Sequence, residues 1–317
     1  MARWSNTTGL SRFRIAWAER RLSENVFPLP GPFRAQRIVE MQGALHSAEA
    51  LFPSATRKEL RATDAANDPR LYDRGRDFLV LSYHSIVLRT PGLTILVDSC
   101  IGNDKPRPRH ANFHQRRGTF LQDLAAAGVA PEDIDVVMCT HLHVDHVGWN
   151  TRLKNGRWIP TFPNARYLFA KSEVEHWQQA LKNNPADEVN HGSWADSVAP
   201  VFDAGQAVVV GMDHEVADGV ELIGAPGHTP GNVIVRLEDR GERAYLTGDV
   251  IHHPVQVERP EWSSCFCWDP AMSAETRRKT LATVADDDAW LLPAHFPTPT
   301  AGRVRNTASG FRMAWWA

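Results

Sequence analysis

From residue 78 onward, short apolar runs alternate with amphipathic stretches. FLVLSYHSIVLRT (78–90) and LTILVD (93–98) read as two apolar strands separated by a Pro91-Gly92 turn. TFLQDLAAAG (119–128) has helical spacing, and IDVVMCT (134–140) is a continuous apolar run of the kind that forms a strand buried on both faces. RYLFA (166–170) predicts a strand, KSEVEHWQQALKN (171–183) a helix, and VELIGAP, NVIVRLE and RAYLTGD three further strands. Asp269 stands as N-cap, with Pro270 at the first helical position, of a helix running to about Ala285, and the strand AWLLPAH follows it. Strands in clusters with helices between and after them predict an α/β sandwich, with helices on the outer faces of two packed sheets. No internal repeat or low-complexity tract interrupts the pattern.

Residues 1–75 are mixed: an amphipathic helix around Phe13 to Leu22, then the proline-rich FPLPGPF, then a polar stretch rich in alanine, arginine and aspartate. They are expected to form an extension packed on the main domain or on a partner subunit, with residues 76–317 forming the catalytic domain. Trp4, Phe13 and Trp17 need a surface to cover, so a homodimer is expected. The first 22 residues are broken by charges, which argues against a secretory signal, and no uncharged run is long enough to cross a bilayer. The expected location is the cytoplasm.

At 317 residues, 43% hydrophobic and 23% charged, the composition suits an ordinary globular protein. Lysine plus arginine (35) nearly balances aspartate plus glutamate (37), which gives no electrostatic reason to expect nucleic acid or membrane as a partner. A small-molecule substrate is expected instead. Cys100, Cys139, Cys265 and Cys267 are too few and too irregular for a disulfide framework and read as free buried thiols.

The chemistry concentrates in THLHVDHVGWN (140–150). Residues two apart on a strand face one side, so His141 and His143 can point at one object, and a curl of the chain at Gly148 allows Asp145 and His146 to join them. Further ligands should come from other strand ends, where His228 (GAPGHTPGN), Asp249 (AYLTGDV) and His295 (LLPAHF) stand. Imidazole and carboxylate without thiolate suit zinc with open coordination positions, hence metal-assisted hydrolysis.

The series His141-x-His143-x-Asp145-His146, His228, Asp249 and His295, with Asp98 ending an early strand, resembles the metallo-β-lactamase superfamily over residues 78–300. GDVIHHPVQ and LLPAHFPTPTAGRV are closest in detail to its methyl parathion hydrolase and lactonase-like branch. The resemblance implies a four-layer αββα sandwich and two Zn2+ per chain, with Mn, Fe or Co as other occupants. By residue-wise carry-over, His141, His143 and His228 would hold one ion, Asp145, His146 and His295 the other, and Asp249 would bridge them. Asp98 would support the ligand loop.

The implied activity is attack of a metal-bridging hydroxide on an uncharged aryl ester or lactone. Asp145, Asp249 and His252 are the candidate catalytic residues, and His252 stands where lactonases carry tyrosine. Alternatives are phosphotriester hydrolysis, hydrolytic dehalogenation of an activated aromatic, or a non-catalytic metal-binding protein of the same fold. Trp149, Trp262, Phe266, Trp268 and Phe296 are candidates to wall an apolar pocket. His110 and His114 read as solvated residues of a basic loop (KPRPRHANFHQRR) that could fold over the site as a lid.

Overall fold

In the first of two sheets the strand order is Val26–Pro28, Arg34–Ser47, Phe78–Arg89, Thr94–Val97, Val136–Met138, Arg166–Ala170 and Ala207–Val210, with Tyr72–Asp73 beside Phe78–Arg89. The computed structural model describes residues 25–184, 189–308 and 310–316; the helix expected around Phe13, with Trp4 and Trp17, lies outside them. Pairing is antiparallel as far as Thr94–Val97 and parallel beyond it. The second sheet runs Glu215–Ala217, Val220–Gly224, Val233–Asp239, Glu242–Leu246, Trp290–Leu292, Gly302–Thr307 and Gly310–Trp315.

The apolar runs dictate the layering. In Thr94–Val97, Ile95 and Val97 face the space between the sheets, where they meet Leu222, Val235 and Leu292, while Leu96 faces outward onto Phe120 and Leu124. Val136 and Met138 likewise point inward and Val137 outward. A strand covered on both faces has no solvent side, which is why these runs show no polar alternation. Helices Phe120–Ala126 and Lys171–Asn183 cover the first sheet. Helix Pro270–Asp286, capped by Asp269 accepting from Met272 N, covers the second through Leu281 and Val284. Full burial of each such aliphatic side chain is worth roughly 1.5–3 kcal/mol. The four layers are those of an αββα sandwich.

The polar half of the N-terminal region departs from expectation. Arg34–Ser47 is a 14-residue strand paired along Phe78–Arg89, so residues 26–47 belong to the main sheet and the boundary at 75 separates no appended layer. Its sequence, RAQRIVEMQGALHS, buries Ala35, Arg37 and Ile38 but leaves much of its length half-exposed, so no apolar run announced it. Beyond it, Leu51, Phe52, Leu60 and Leu71 pack on Val255 and Trp262. Cys100 and Cys139 are buried as expected, whereas Cys265 is exposed and Cys267 half-buried. Among the described residues no helix is long and apolar enough to cross a membrane.

Candidate metal centre

Each strand that ends at the same rim delivers one part of the cluster. Val136–Met138 leads to His141, His143, Asp145 and His146, Val220–Gly224 to His228, Glu242–Leu246 to Asp249, and Trp290–Leu292 to His295. All seven residues converge. His141, His143, His228 and Asp249 form one group, and Asp145, His146 and His295 a second, each with one donor atom per residue lying within 4.8 Å of the others.

In the first group, His143 Nδ1 lies 3.1 Å from His141 Nε2 and 2.8 Å from His228 Nε2. Asp249 Oδ2 stands 3.2 Å from His228 Nε2 and 3.7 Å from His141 Nε2. Its other oxygen, Oδ1, lies 3.2 Å from His146 Nε2 and 3.1 Å from His295 Nε2, and both of those nitrogens also face Asp145 Oδ2, at 3.8 and 3.5 Å. One carboxylate therefore stands between two groups of imidazoles, Oδ2 toward the first and Oδ1 toward the second, with His295 Nε2 also 3.3 Å from Oδ2.

The donor set fits a pair of divalent cations. Buried His146 Nε2 and Asp249 Oδ1 have no hydrogen-bond partner although they are near neighbours, so both polar atoms are left facing a shared gap. Burial pushes His141 and His143 well below the ordinary histidine range and keeps them neutral, the form that ligates. Burial acts the same way on His146 and His228, but the carboxylates outweigh it: Asp249, Asp98 and Asp145 hold His146 well above that range, and Asp249 lifts His228 to about 9. For Asp249 burial favours the neutral acid, and the surrounding imidazoles, His146 first, reverse this and hold it well below the carboxylate range.

A second layer of contacts fixes the rings. Asp98, in the left-handed region at φ 57°, accepts from His146 Nδ1 at 2.9 Å and from Thr140 N at 2.7 Å, which turns His146 Nε2 toward the gap. His295 Nδ1 lies 3.0 Å from the carbonyl oxygen of Ser82. Glu173, fully buried, accepts from Leu142 N, Trp177 Nε1 and Gly231 N and so ties the loop carrying His141 and His143 to the loop carrying His228. Sequence reasoning missed Glu173, since an acidic residue in the first turn of a helix reads as a solvated charge.

Above the cluster opens a cavity of about 200 Å³. Its apolar wall comes from Leu51, Leu81, Phe113, Val144, Trp177 and Phe266. Its polar wall comes from His46, Tyr83, His110, Asn190, His191 and His252. His252 Nε2 stands 3.3 Å from Asp249 Oδ2 and 3.2 Å from Ser264 Oγ, and burial holds it at about 4.

Of the five aromatic candidates, Phe266 alone lines this cavity. Trp149 is buried and stacked on Phe120, with its indole N–H on Glu40; Trp262 packs on Phe52; and Phe296 packs on Trp315. Trp268 is 54% exposed, beside His176. His114 is exposed, as expected, but His110 is half-buried in the cavity wall, where its loop forms part of the covering.

Fold and site together define an αββα protein with a two-centre candidate metal site at one sheet edge. The sequence matches the family model of the metallo-beta-lactamase superfamily over residues 79–295, a span that takes in all seven cluster residues, and the chain belongs to that superfamily. It is similar to an N-acyl homoserine lactonase of a Bacillus species, 28% identical over 160 residues, or 49% of this chain and 54% of the relative. It is also similar to metallo-beta-lactamase domain-containing protein 1 of Xenopus laevis, 27% identical over 184 residues, or 57% of this chain and 62% of the relative. The chain thus spans little more than half the length of these relatives. Among solved structures, AbOPH, described as a hydrolase of the beta lactamase superfamily, shares the fold at TM-score 0.75 and 24% identity, covering 92% of this chain and 95% of that one. AidC, described as a dizinc quorum-quenching lactonase, does so at TM-score 0.77 and 21% identity, covering 92% and 97%.

Proposed function

We propose that the protein is a zinc-dependent hydrolase of uncharged esters, aryl esters and lactones among them. The observation that carries this reading is Asp249, whose two oxygens face separate imidazole groups at the floor of a cavity to which no lysine or arginine among the described residues contributes. Without such a cation on the wall, a charge carried by the substrate away from the metal floor would be desolvated with little compensation, whereas a neutral ester carries none. Two divalent ions held by the cluster would supply Lewis acidity and lower the pKa of water.

The remaining work falls to the chain's own side chains. Asp98 keeps His146 in one orientation, and Glu173 fixes the spacing of the loops bearing His143 and His228. Leu81, Phe113 and Phe266 keep bulk water from the floor. His252, beside Asp249 and on the cavity wall, is placed to hydrogen-bond the departing oxygen. N-acyl homoserine lactonases among the relatives support the ester and lactone class.

A panel of 4-nitrophenyl acetate, a γ-lactone, a phosphotriester and an aryl chloride, assayed on zinc-loaded protein before and after chelation, tests the reading. Chelator-sensitive turnover of the ester or the lactone is expected. Turnover indifferent to chelator would overturn the mechanism, and preference for the phosphotriester or the chloride would overturn the substrate class.

A further inference from the structure

On the cavity wall, His110 Nε2 and His191 Nε2 meet at 3.1 Å, with their rings crossed at 84° and both facing the space that Asp145 and His143 also line. Neither belongs to the metal cluster. His110 comes from the basic loop and stacks on Phe113, and His191 comes from the turn before the short helix Trp194–Val198.

Two features show that this meeting is held in place. First, Asn190 and His191 both adopt the left-handed region, at φ 51° and 56°, which costs about 1 kcal/mol for each non-glycine residue. Asn190 is compensated locally, because its side chain accepts from Val144 N at 3.2 Å and donates to Leu142 O. His191 has no such local bond, and backbone strain of this kind persists where surrounding structure imposes it, often at ligand clamps.

Second, a buried ion pair fastens the two histidine-bearing segments together. Arg107, three residues before His110, makes a bidentate contact with Asp196, five residues after His191, at 2.6 and 2.8 Å. Lys105 Nζ adds contacts to the Asp196 carbonyl oxygen at 3.0 Å and to Thr151 Oγ1 at 2.6 Å. Buried ion pairs return little stability once desolvation is counted, and a role in fixing geometry explains this one better.

Resting on the hydrolase reading above, we infer that His110 and His191 form a two-donor subsite for a second, neutral oxygen acceptor of the substrate, a carbonyl remote from the scissile ester. With one Nε2–H between them, the two imidazoles hydrogen-bond to each other. A carbonyl oxygen entering between them can accept from both Nε2–H groups after a tautomer change in one ring, with no net proton uptake. Burial, then His110 and the nearby cations Arg107 and Arg109, hold His191 below its usual range, which keeps that ring neutral and favours a carbonyl over a carboxylate.

The test is calorimetric binding of two ring analogues that cannot be hydrolysed, α-acetamido-γ-butyrolactam and α-propyl-γ-butyrolactam, to zinc-loaded protein. One pair of well-made hydrogen bonds predicts roughly tenfold tighter binding of the acetamido compound. In His110→Leu, and in His191→Gly, which the left-handed backbone accepts, the ratio should fall toward one. A ratio near one in the unaltered protein, or a tenfold ratio that survives both substitutions, would overturn the subsite. A ratio that behaves as expected in a protein without esterase or lactonase turnover would uphold the subsite and overturn the hydrolase reading instead.

Discussion

Asp98 shows how much of the site hangs on residues that touch no metal. Its carboxylate accepts from both the His146 ring and the Thr140 backbone, so Asp98→Asn replaces one acceptor with a donor that faces a ring N–H. Zinc affinity should fall about 10–100-fold, read by competition with a chromophoric chelator, with little change in fold. Asp249→Ala removes the residue shared by both groups, and both metal content and rate should drop; a fully metallated, fully active variant would contradict its shared position. The seven cluster residues were legible in the sequence because each follows a strand and their types are chemically unusual together. The pocket aromatics were not, because nearness in sequence says nothing of direction. Phe296 follows His295 immediately in the turn after Trp290–Leu292, yet it is fully buried against Trp315 while His295 lines the cavity.

At the scale of elements, the loop after Val136–Met138 is shaped by a close approach rather than by a special backbone angle. Gly148 lies against the backbone of Ile101, and a Cβ there would overlap that carbonyl. Gly148 N also bonds Cys100 O at 2.7 Å, so the contact cannot simply open. Gly148→Ala should cost about 2 kcal/mol or more, measured by denaturant unfolding, and should loosen zinc as the ligand loop shifts.

The basic loop makes a pH-dependent prediction. Burial lowers Lys105 from its ordinary range to about 7, only partly offset by Asp196. The unfolded chain then holds more protons between that value and the free-lysine value of about 10.4, so stability contributed by this group rises with pH over that window, by up to about 1.4 kcal/mol per unit. Lys105→Met should lose that rise between pH 7 and 9 in denaturation midpoints. An equal rise in both proteins would place the lysine elsewhere. This tether was invisible in sequence, where KPRPRH reads as a solvated charge run and Asp196 lies 91 residues from Lys105.

For the molecule as a whole, the apolar runs from 78 onward sufficed to read two packed sheets, because strands covered on both faces cannot hide their composition. Arg34–Ser47 escaped because it is half-exposed along much of its length. Its pairing with Phe78–Arg89 makes it integral, so a chain beginning at residue 76 should expose an unpaired central strand and fail to fold. Cooperative unfolding of soluble truncated protein, followed by circular dichroism, would contradict that placement. The central claim, that one carboxylate joins two imidazole groups into a single hydrolytic centre, is tested most directly by titrating metal-free protein with Zn2+ while following hydrolysis of a neutral ester or lactone. The account predicts tight uptake of about two equivalents per chain, matching the two donor groups, with activity appearing as they fill. Binding of less than one equivalent, or hydrolysis at full rate before zinc is added, would contradict it.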